Sequence, residues 1–75
     1  MYTVTFINSN GQNISIKNVV EIEYGDSCDS MDKIPSEKIM DYIFPIRGIY
    51  RLTGPIVNTT YFANENIVCV SVTKN

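Results

Sequence analysis

Apolar and polar residues alternate along much of the chain, beginning at its first residues. Tyr2, Val4 and Phe6 alternate with Thr3 and Thr5. Because successive side chains of a strand point to opposite faces, this pattern predicts a β-strand. The chain also holds eleven Ile, seven Val and six Thr, which favour pleated, half-buried surfaces. Strands are predicted over 2–7, 13–17, 19–24, 48–53, 56–62 and 67–73.

The turn between the first two predicted strands contains Asn10-Gly11. An Asn-Gly pair tolerates positive φ angles and is a strong signal for a tight hairpin turn. Residues 2–17 are therefore expected to form a β-hairpin, and Asn18 is expected to mark a kink before the third strand. Asn64-Glu65-Asn66 is a further predicted turn.

The alternation also predicts which face of each strand is buried. In the third strand, Val20, Ile22 and Tyr24 are expected on the dry face, with Glu21 and Glu23 in water. In the last strand, the expected dry face is Val68, Val70 and Val72.

The segment 36–44 is the one candidate helix. Ser36 is a possible N-cap, and apolar residues at 39, 40, 43 and 44 have helical spacing before Pro45 ends the run. A single helical turn over 36–40 followed by a short strand over 41–46 fits the same residues equally well.

These elements predict one domain over 1–75, mainly β, built as a small antiparallel barrel or a curled sheet. Five to six strands and at most one short helix near 36–44 are expected. The first and last strands are the most regular, so they should lie inside the sheet or close it. Because 75 residues make a small core and an open sheet leaves edges to pair, a homo-oligomer is expected.

Charge and composition argue against several functions. The net charge is −2 without a basic run, which disfavours nucleic-acid binding. No apolar run is long enough to span a membrane. The acidic residues between 21 and 32 lack the spacing of an EF-hand, and the chain has no histidine, so neither a metal nor a cofactor is predicted. The acidic residues of this stretch are expected instead to lie in a solvated loop.

Cys28 and Cys69 are predicted to be free thiols. The N-terminus lacks the basic and apolar regions of a signal peptide, which indicates the cytoplasm, or the host cytoplasm if the chain is viral. Cys28 lies between Asp26 and Asp29, which disfavour a reactive thiolate, and Cys69 is expected to pack as a small apolar residue. Without histidine or an activated nucleophile, the chain is predicted not to be an enzyme.

The candidate binding residues lie on two neighbouring predicted strands. Arg47 and Arg51 would share one strand face about 13 Å apart, with Tyr50 between them. Arginine offers a fork for phosphate or carboxylate, and tyrosine offers a stacking face or a contact for a partner protein. The polar run Asn58-Thr59-Thr60-Tyr61 could line the same site through Asn58, Thr60 and Tyr61, and an exposed strand face rich in threonine explains the run equally well. The alternative is ordinary surface charge, in which the arginines pair with Glu21 and Glu23 across the sheet.

At NVVEIEYGD, followed by IPSEKIMDYIFPI, the chain resembles small accessory proteins of phages and prophages of low-GC Gram-positive bacteria. Its Ile, Asn, Lys and Tyr usage also fits AT-rich coding. The resemblance implies a protein that binds and inhibits a host protein, such as one of a defence system. The alternative is an oligomer that sequesters a small phosphate-bearing nucleotide signal.

Overall fold

The computed structural model of the chain describes residues 1–27, 29–63 and 66–74. These residues form seven strands and one 3₁₀-helix. In chain order, the elements are β1 (Tyr2–Asn8), β2 (Asn13–Val19), β3 (Glu21–Gly25), β4 (Met31–Lys33), the 3₁₀-helix (Ser36–Asp41), β5 (Gly48–Thr53), β6 (Asn58–Ala63) and β7 (Ile67–Lys74). The predictions for Cys28 and for the turn at Asn64-Glu65 lie outside the described residues.

The predicted hairpin over 2–17 is confirmed. β1 and β2 pair in antiparallel fashion, with Phe6 opposite Ile14. In the turn, Gly11 has a φ of 85° and its N–H donates to the Asn8 carbonyl oxygen at 3.0 Å. A residue without a β-carbon adopts that left-handed conformation at little cost, which is why Asn-Gly forms the turn.

β1 lies at the centre of a three-stranded antiparallel sheet of order β2-β1-β7. Val4 pairs with Val72 and Phe6 with Val70, so the first and last strands of the chain are neighbours. The expectation that the first strand lies inside a sheet is confirmed. For the last strand it is wrong, because β7 is an edge of its sheet.

The second sheet has four antiparallel strands in the order β4-β3-β5-β6. β4 was not predicted from the sequence; it lies within the polar stretch 25–35 and pairs Tyr24 with Asp32. β6 begins later than predicted because residues 54–57 form its turn, in which the Gly54 N–H donates to the Val57 carbonyl oxygen at 2.8 Å. The described strands do not close into a barrel, so the fold is mainly β but consists of two sheets.

The core lies between the two sheets. Phe6 from the first sheet meets Tyr50 and Tyr61 from the second, with ring centroids 5.4 Å and 4.1 Å away respectively. Burial of apolar surface here supplies most of the favourable free energy of folding. The fully or almost fully buried residues are Val4, Phe6, Val19, Ile22, Ile34, Ile39, Tyr50, Leu52 and Ile67.

Two of the predicted dry-face residues are exposed. Ile22 is buried as expected, but Val20 lies between β2 and β3 and is 44% exposed, because Asn18 has a positive φ of 62° and turns Val19 inward instead. The predicted kink at Asn18 is therefore confirmed. Val68 is 55% exposed because the register of β7 shifts where it passes the end of β1.

The helix is shorter than the predicted 36–44. It is a 3₁₀-helix that ends at Asp41, Pro35 precedes it at the N-cap position, and Ser36 makes no capping bond there. Tyr42 already has an extended backbone, with φ −78° and ψ 139°. The alternative prediction is right about a short helical turn and wrong about a strand over 41–46. This helix, the only one in the described part of the chain, could not cross a membrane.

Candidate interaction site

Residues 42–47 form an irregular loop between the 3₁₀-helix and β5, here called loop 42–47. Its sequence is Tyr-Ile-Phe-Pro-Ile-Arg. Pro45 favours an extended conformation at the residue before it and cannot donate a backbone hydrogen bond, so neither a helix nor a central strand continues through it. A mostly apolar segment is thereby left outside regular secondary structure.

Two tyrosines of the four-stranded sheet hold the backbone of loop 42–47. The Tyr24 hydroxyl donates a hydrogen bond of 2.7 Å to the Arg47 carbonyl oxygen. The Tyr50 hydroxyl donates to the Pro45 carbonyl oxygen. Because Tyr24 and Tyr50 are register partners on adjacent strands, with ring centroids 4.9 Å apart, they form one support beneath the loop.

Phe44 anchors the middle of the loop. It is half-buried and packs against the core, with its ring centroid 6.3 Å from that of Tyr50. Tyr42 meets Phe44 edge-on at 5.0 Å. The loop is therefore fixed both by backbone hydrogen bonds and by one inserted aromatic side chain.

The other apolar side chains of this region face water. Ile43 is 90% exposed, the highest value among the exposed large apolar residues of the described chain. Met40, Tyr42 and Ile46 are also exposed. Single exposed apolar residues are common, but a cluster of four in seven residues on a fixed backbone is typical of an interaction surface.

Acidic side chains lie next to Tyr24, which holds the loop, and directly before the loop in sequence. The turn after β3 carries Asp26, and the neighbouring strand carries Asp32 opposite Tyr24. Asp41 immediately precedes the loop. Burial raises the pKa of the Tyr24 hydroxyl, and the charge of Asp26, followed by Tyr42, raises it further. An acidic side chain on the β3 side therefore acts on the same hydroxyl that holds the Arg47 carbonyl oxygen of the loop.

The structure separates the two arginines that the sequence placed on one strand face. Arg47 precedes β5 and its Nη1 donates to the Ile46 carbonyl oxygen at 3.0 Å. Arg51 lies on the outer face of β5, with its Nη1 3.8 Å from a carboxylate oxygen of Glu23. Glu23 and Arg51 are register partners, so the interpretation of Arg51 as half of a cross-strand ion pair is confirmed. Glu21 pairs instead with Lys33.

The predicted tyrosines lie on the opposite face from Arg51. Tyr50 is fully buried, and Tyr61 stacks on Phe6 inside the core. Neither ring therefore lies on the face that carries Arg51, because alternation along β5 and β6 turns both inward. Thr60 does lie beside Arg51 as its register partner, and Asn58 lies on the same outer face.

Cys69 is exposed on β7, which contradicts its predicted packing in the core. It is the register partner of Ile7, on the face of the sheet away from Phe6. Within the described residues there is no cavity and no cluster of three possible metal-ligating side chains.

Comparisons with protein-family models, with curated proteins and with solved structures find no match for this chain.

Of loop 42–47, only Arg47 was among the predicted site residues; the apolar residues were not. Their signal in the sequence was the apolar run Tyr42-Ile43-Phe44 directly before a proline, which was assigned to a helix or a strand instead. The pattern cannot distinguish a buried run from an exposed one, since the tyrosines that hold the loop are distant in sequence or belong to the following strand.

Proposed function

We propose that this chain is a small, non-catalytic binding protein that uses loop 42–47 to bind, and thereby inhibit, a protein of a host cell. The proposal depends above all on the exposure of Ile43 in a loop whose backbone is held by two hydroxyl groups. Apolar side chains that project from a fixed backbone are the usual central contacts of protein interfaces.

The fixed backbone matters because ordering a flexible loop on binding costs free energy. The Tyr24 and Tyr50 hydrogen bonds and the inserted Phe44 hold the loop before any partner arrives. A preorganised loop therefore retains more of its contact energy as affinity. This favours rapid, tight recognition of a recess in another protein.

The acidic residues beside Tyr24 and before the loop indicate the charge of the partner. Asp26, Asp32 and Asp41 are all exposed; Asp41 directly precedes the loop, and Asp26 acts on the Tyr24 hydroxyl that holds it. A partner surface with an apolar recess and a basic rim would complement this arrangement, and charge complementarity would accelerate the association. We infer that binding inhibits the partner protein because the chain resembles phage accessory proteins.

The test compares two exposed isoleucines at opposite ends of β5. Ile43 is in loop 42–47, and Ile56, 79% exposed, is in the turn after β5. The immobilised wild-type chain, Ile43→Lys and Ile56→Lys are incubated at low salt with a lysate of a low-GC Gram-positive bacterium. Circular dichroism verifies that each variant is folded.

We expect a protein that the wild type and Ile56→Lys retain and that Ile43→Lys loses by tenfold or more in affinity, about the effect of one central contact. The retained protein is then purified and titrated against all three chains. Equal retention by all three, or no retained protein even at low salt, would contradict the proposal.

A sequestering site for a phosphate-bearing nucleotide has less support. Arg51 is already paired with Glu23, and the carboxylate would repel a phosphate there. A nucleotide that raises the melting temperature of the wild type but not that of Arg51→Ala would nevertheless favour this alternative.

A further inference from the structure

β6 is the edge of the four-stranded sheet, and every second residue of it has unused backbone groups. The hydrogen bond between Gly54 and Val57 marks a bonded pair at the start of the β5–β6 ladder. Bonded and non-bonded pairs alternate in an antiparallel ladder, so Thr59 and Tyr61 bond to β5. The N–H and C=O groups at the other positions face the open edge. These positions are Asn58, Thr60 and Phe62.

In the described part of the chain, no backbone hydrogen bond outside the strand ladders reaches these three residues. Their side chains are all exposed on the outer face of the sheet, and Phe62 is 60% exposed. Six residues of β6 follow the register of β5 without a shift. The edge is therefore a regular template for another strand.

The other three edge strands have features that discourage pairing. β4 has three residues and carries Asp32 and Lys33. β2 carries Lys17 and ends beside the positive φ of Asn18, where its register is irregular. β7 has a register shift and carries Lys74. Charges, short length and bulges are the usual protection of sheet edges, and β6 has none of them.

We propose that β6 pairs in antiparallel fashion with β6 of a second copy of this chain, with the two-fold axis at Thr60. This register uses all three outward-facing residues, because Asn58 then lies opposite Phe62 of the second copy. About six backbone hydrogen bonds would form. The strand carries no charge, so pairing it with itself places no like charges opposite each other.

The pairing joins two four-stranded sheets into one sheet of eight strands, and its backbone hydrogen bonds involve no residue of loop 42–47. This interface is a different surface from the one in the proposed function, so either proposal can fail without the other. A two-fold contact of this kind closes after two copies and does not propagate into a fibre.

A disulfide experiment tests the register. In a chain carrying Cys28→Ser and Cys69→Ser, Thr60→Cys places two thiols at the two-fold axis. The Cα atoms of a bonded antiparallel pair are about 5.5 Å apart, within the range of a disulfide. Asn58→Cys is the matched control, because its thiol lies about 13 Å along the strand from its own copy.

We expect mild oxidation to cross-link Thr60→Cys into a dimer at least ten times faster than Asn58→Cys. Equal rates for both variants, or no cross-link in either, would overturn the proposal. A cross-link through Asn58→Cys alone would also overturn it, since that result requires a different register.

Light scattering of the protein without added cysteines provides the second measurement. Thr60→Pro removes only the outward N–H and keeps the ladder to β5, whereas Thr60→Val keeps that N–H. The wild type and Thr60→Val should be dimers, and the dimer of Thr60→Pro should dissociate at a concentration at least tenfold higher. A wild type that remains monomeric at millimolar concentration would overturn the proposal. In that case the open edge of β6 would be a site for a strand of another protein.

Discussion

The ring of Tyr24 occupies the space that a β-carbon on Gly48 would need. An ideal β-carbon there would lie 2.7 Å from the tyrosine Oη and 2.8 Å from a ring carbon. Gly48 also has a φ of 105°, a conformation that residues with a side chain rarely adopt. The glycine therefore lets Tyr24 lie across the start of β5 and reach the Arg47 carbonyl oxygen.

Gly48→Ala is expected to destabilise the chain more than Gly11→Ala. Both glycines have a positive φ, so both substitutions impose backbone strain of about 1 kcal/mol or more. An added β-carbon at Gly11 meets no atom within 4 Å, whereas at Gly48 it displaces Tyr24 from loop 42–47. We expect an additional loss of about 1–2 kcal/mol for Gly48→Ala in urea unfolding. Equal losses for the two variants would show that Tyr24 moves aside without cost.

Tyr24→Phe tests the hydroxyl bond alone. The ring remains, and one of the two hydrogen bonds that hold loop 42–47 is lost, which should cost about 1 kcal/mol. Tyr2→Phe is the control, because the Tyr2 hydroxyl is 3.5 Å from the Ser36 carbonyl oxygen, a distance at the limit of a hydrogen bond.

Hydrogen exchange gives the local measurement for this pair of variants. Amides of loop 42–47 should exchange faster in Tyr24→Phe and at the wild-type rate in Tyr2→Phe. Unchanged exchange in Tyr24→Phe would mean that Phe44 and Tyr50 hold the loop without the Tyr24 bond.

The parts of the fold that the sequence predicted correctly depend on neighbours in the chain. The hairpin over 2–17 follows from one Asn-Gly turn, and the kink at Asn18 follows from a residue that tolerates positive φ. β4 was missed because it has only three residues and forms through distant contacts. The Ile34 N–H, just after it, bonds to the Ile22 carbonyl oxygen at 2.9 Å.

The candidate site was harder to predict because it depends on which face of each strand meets the other sheet. Alternation correctly separated Tyr50 from Arg51, but it could not say which of the two faced the core. Arg51 forms an ion pair with Glu23 on the outer face of the sheet, and the Tyr50 ring packs against Phe6 in the core. Which face of β5 is buried depends on how the two sheets pack together, and each sheet contains strands that are distant in sequence.

Two phenylalanines distinguish the core from the outer surface. Phe6 is fully buried between Tyr50 and Tyr61, whereas Phe62 is 60% exposed on β6. Phe6→Ala should cost about 3–5 kcal/mol, enough to unfold most of a domain this small. Phe62→Ala should cost under about 1 kcal/mol in urea unfolding at a fixed, low protein concentration. A loss above 3 kcal/mol for Phe62→Ala would place that ring in a core contact that the single chain does not show.

Tyr50 makes the stability of the chain depend on pH in the alkaline range. Burial raises the pKa of the Tyr50 hydroxyl far above its ordinary value of about 10, with smaller contributions from Tyr24 and Tyr42. The unfolded chain therefore loses this proton near pH 10 while the folded chain keeps it. Stability is constant below that pH and falls as the pH rises above it, by at most about 1.4 kcal/mol per pH unit for this group.

Tyr50→Phe lacks this ionisation. At pH 7 it should be less stable than the wild type by about 1 kcal/mol, because the bond to the Pro45 carbonyl oxygen is lost. Between pH 10 and 11.5 the difference should shrink or reverse, because only the wild type has a Tyr50 hydroxyl whose ionisation favours the unfolded state. Urea unfolding at pH 7, 9, 10 and 11 measures both curves. Parallel curves through pH 11 would mean that the Tyr50 hydroxyl reaches water in the folded chain and that its bond to loop 42–47 is open much of the time.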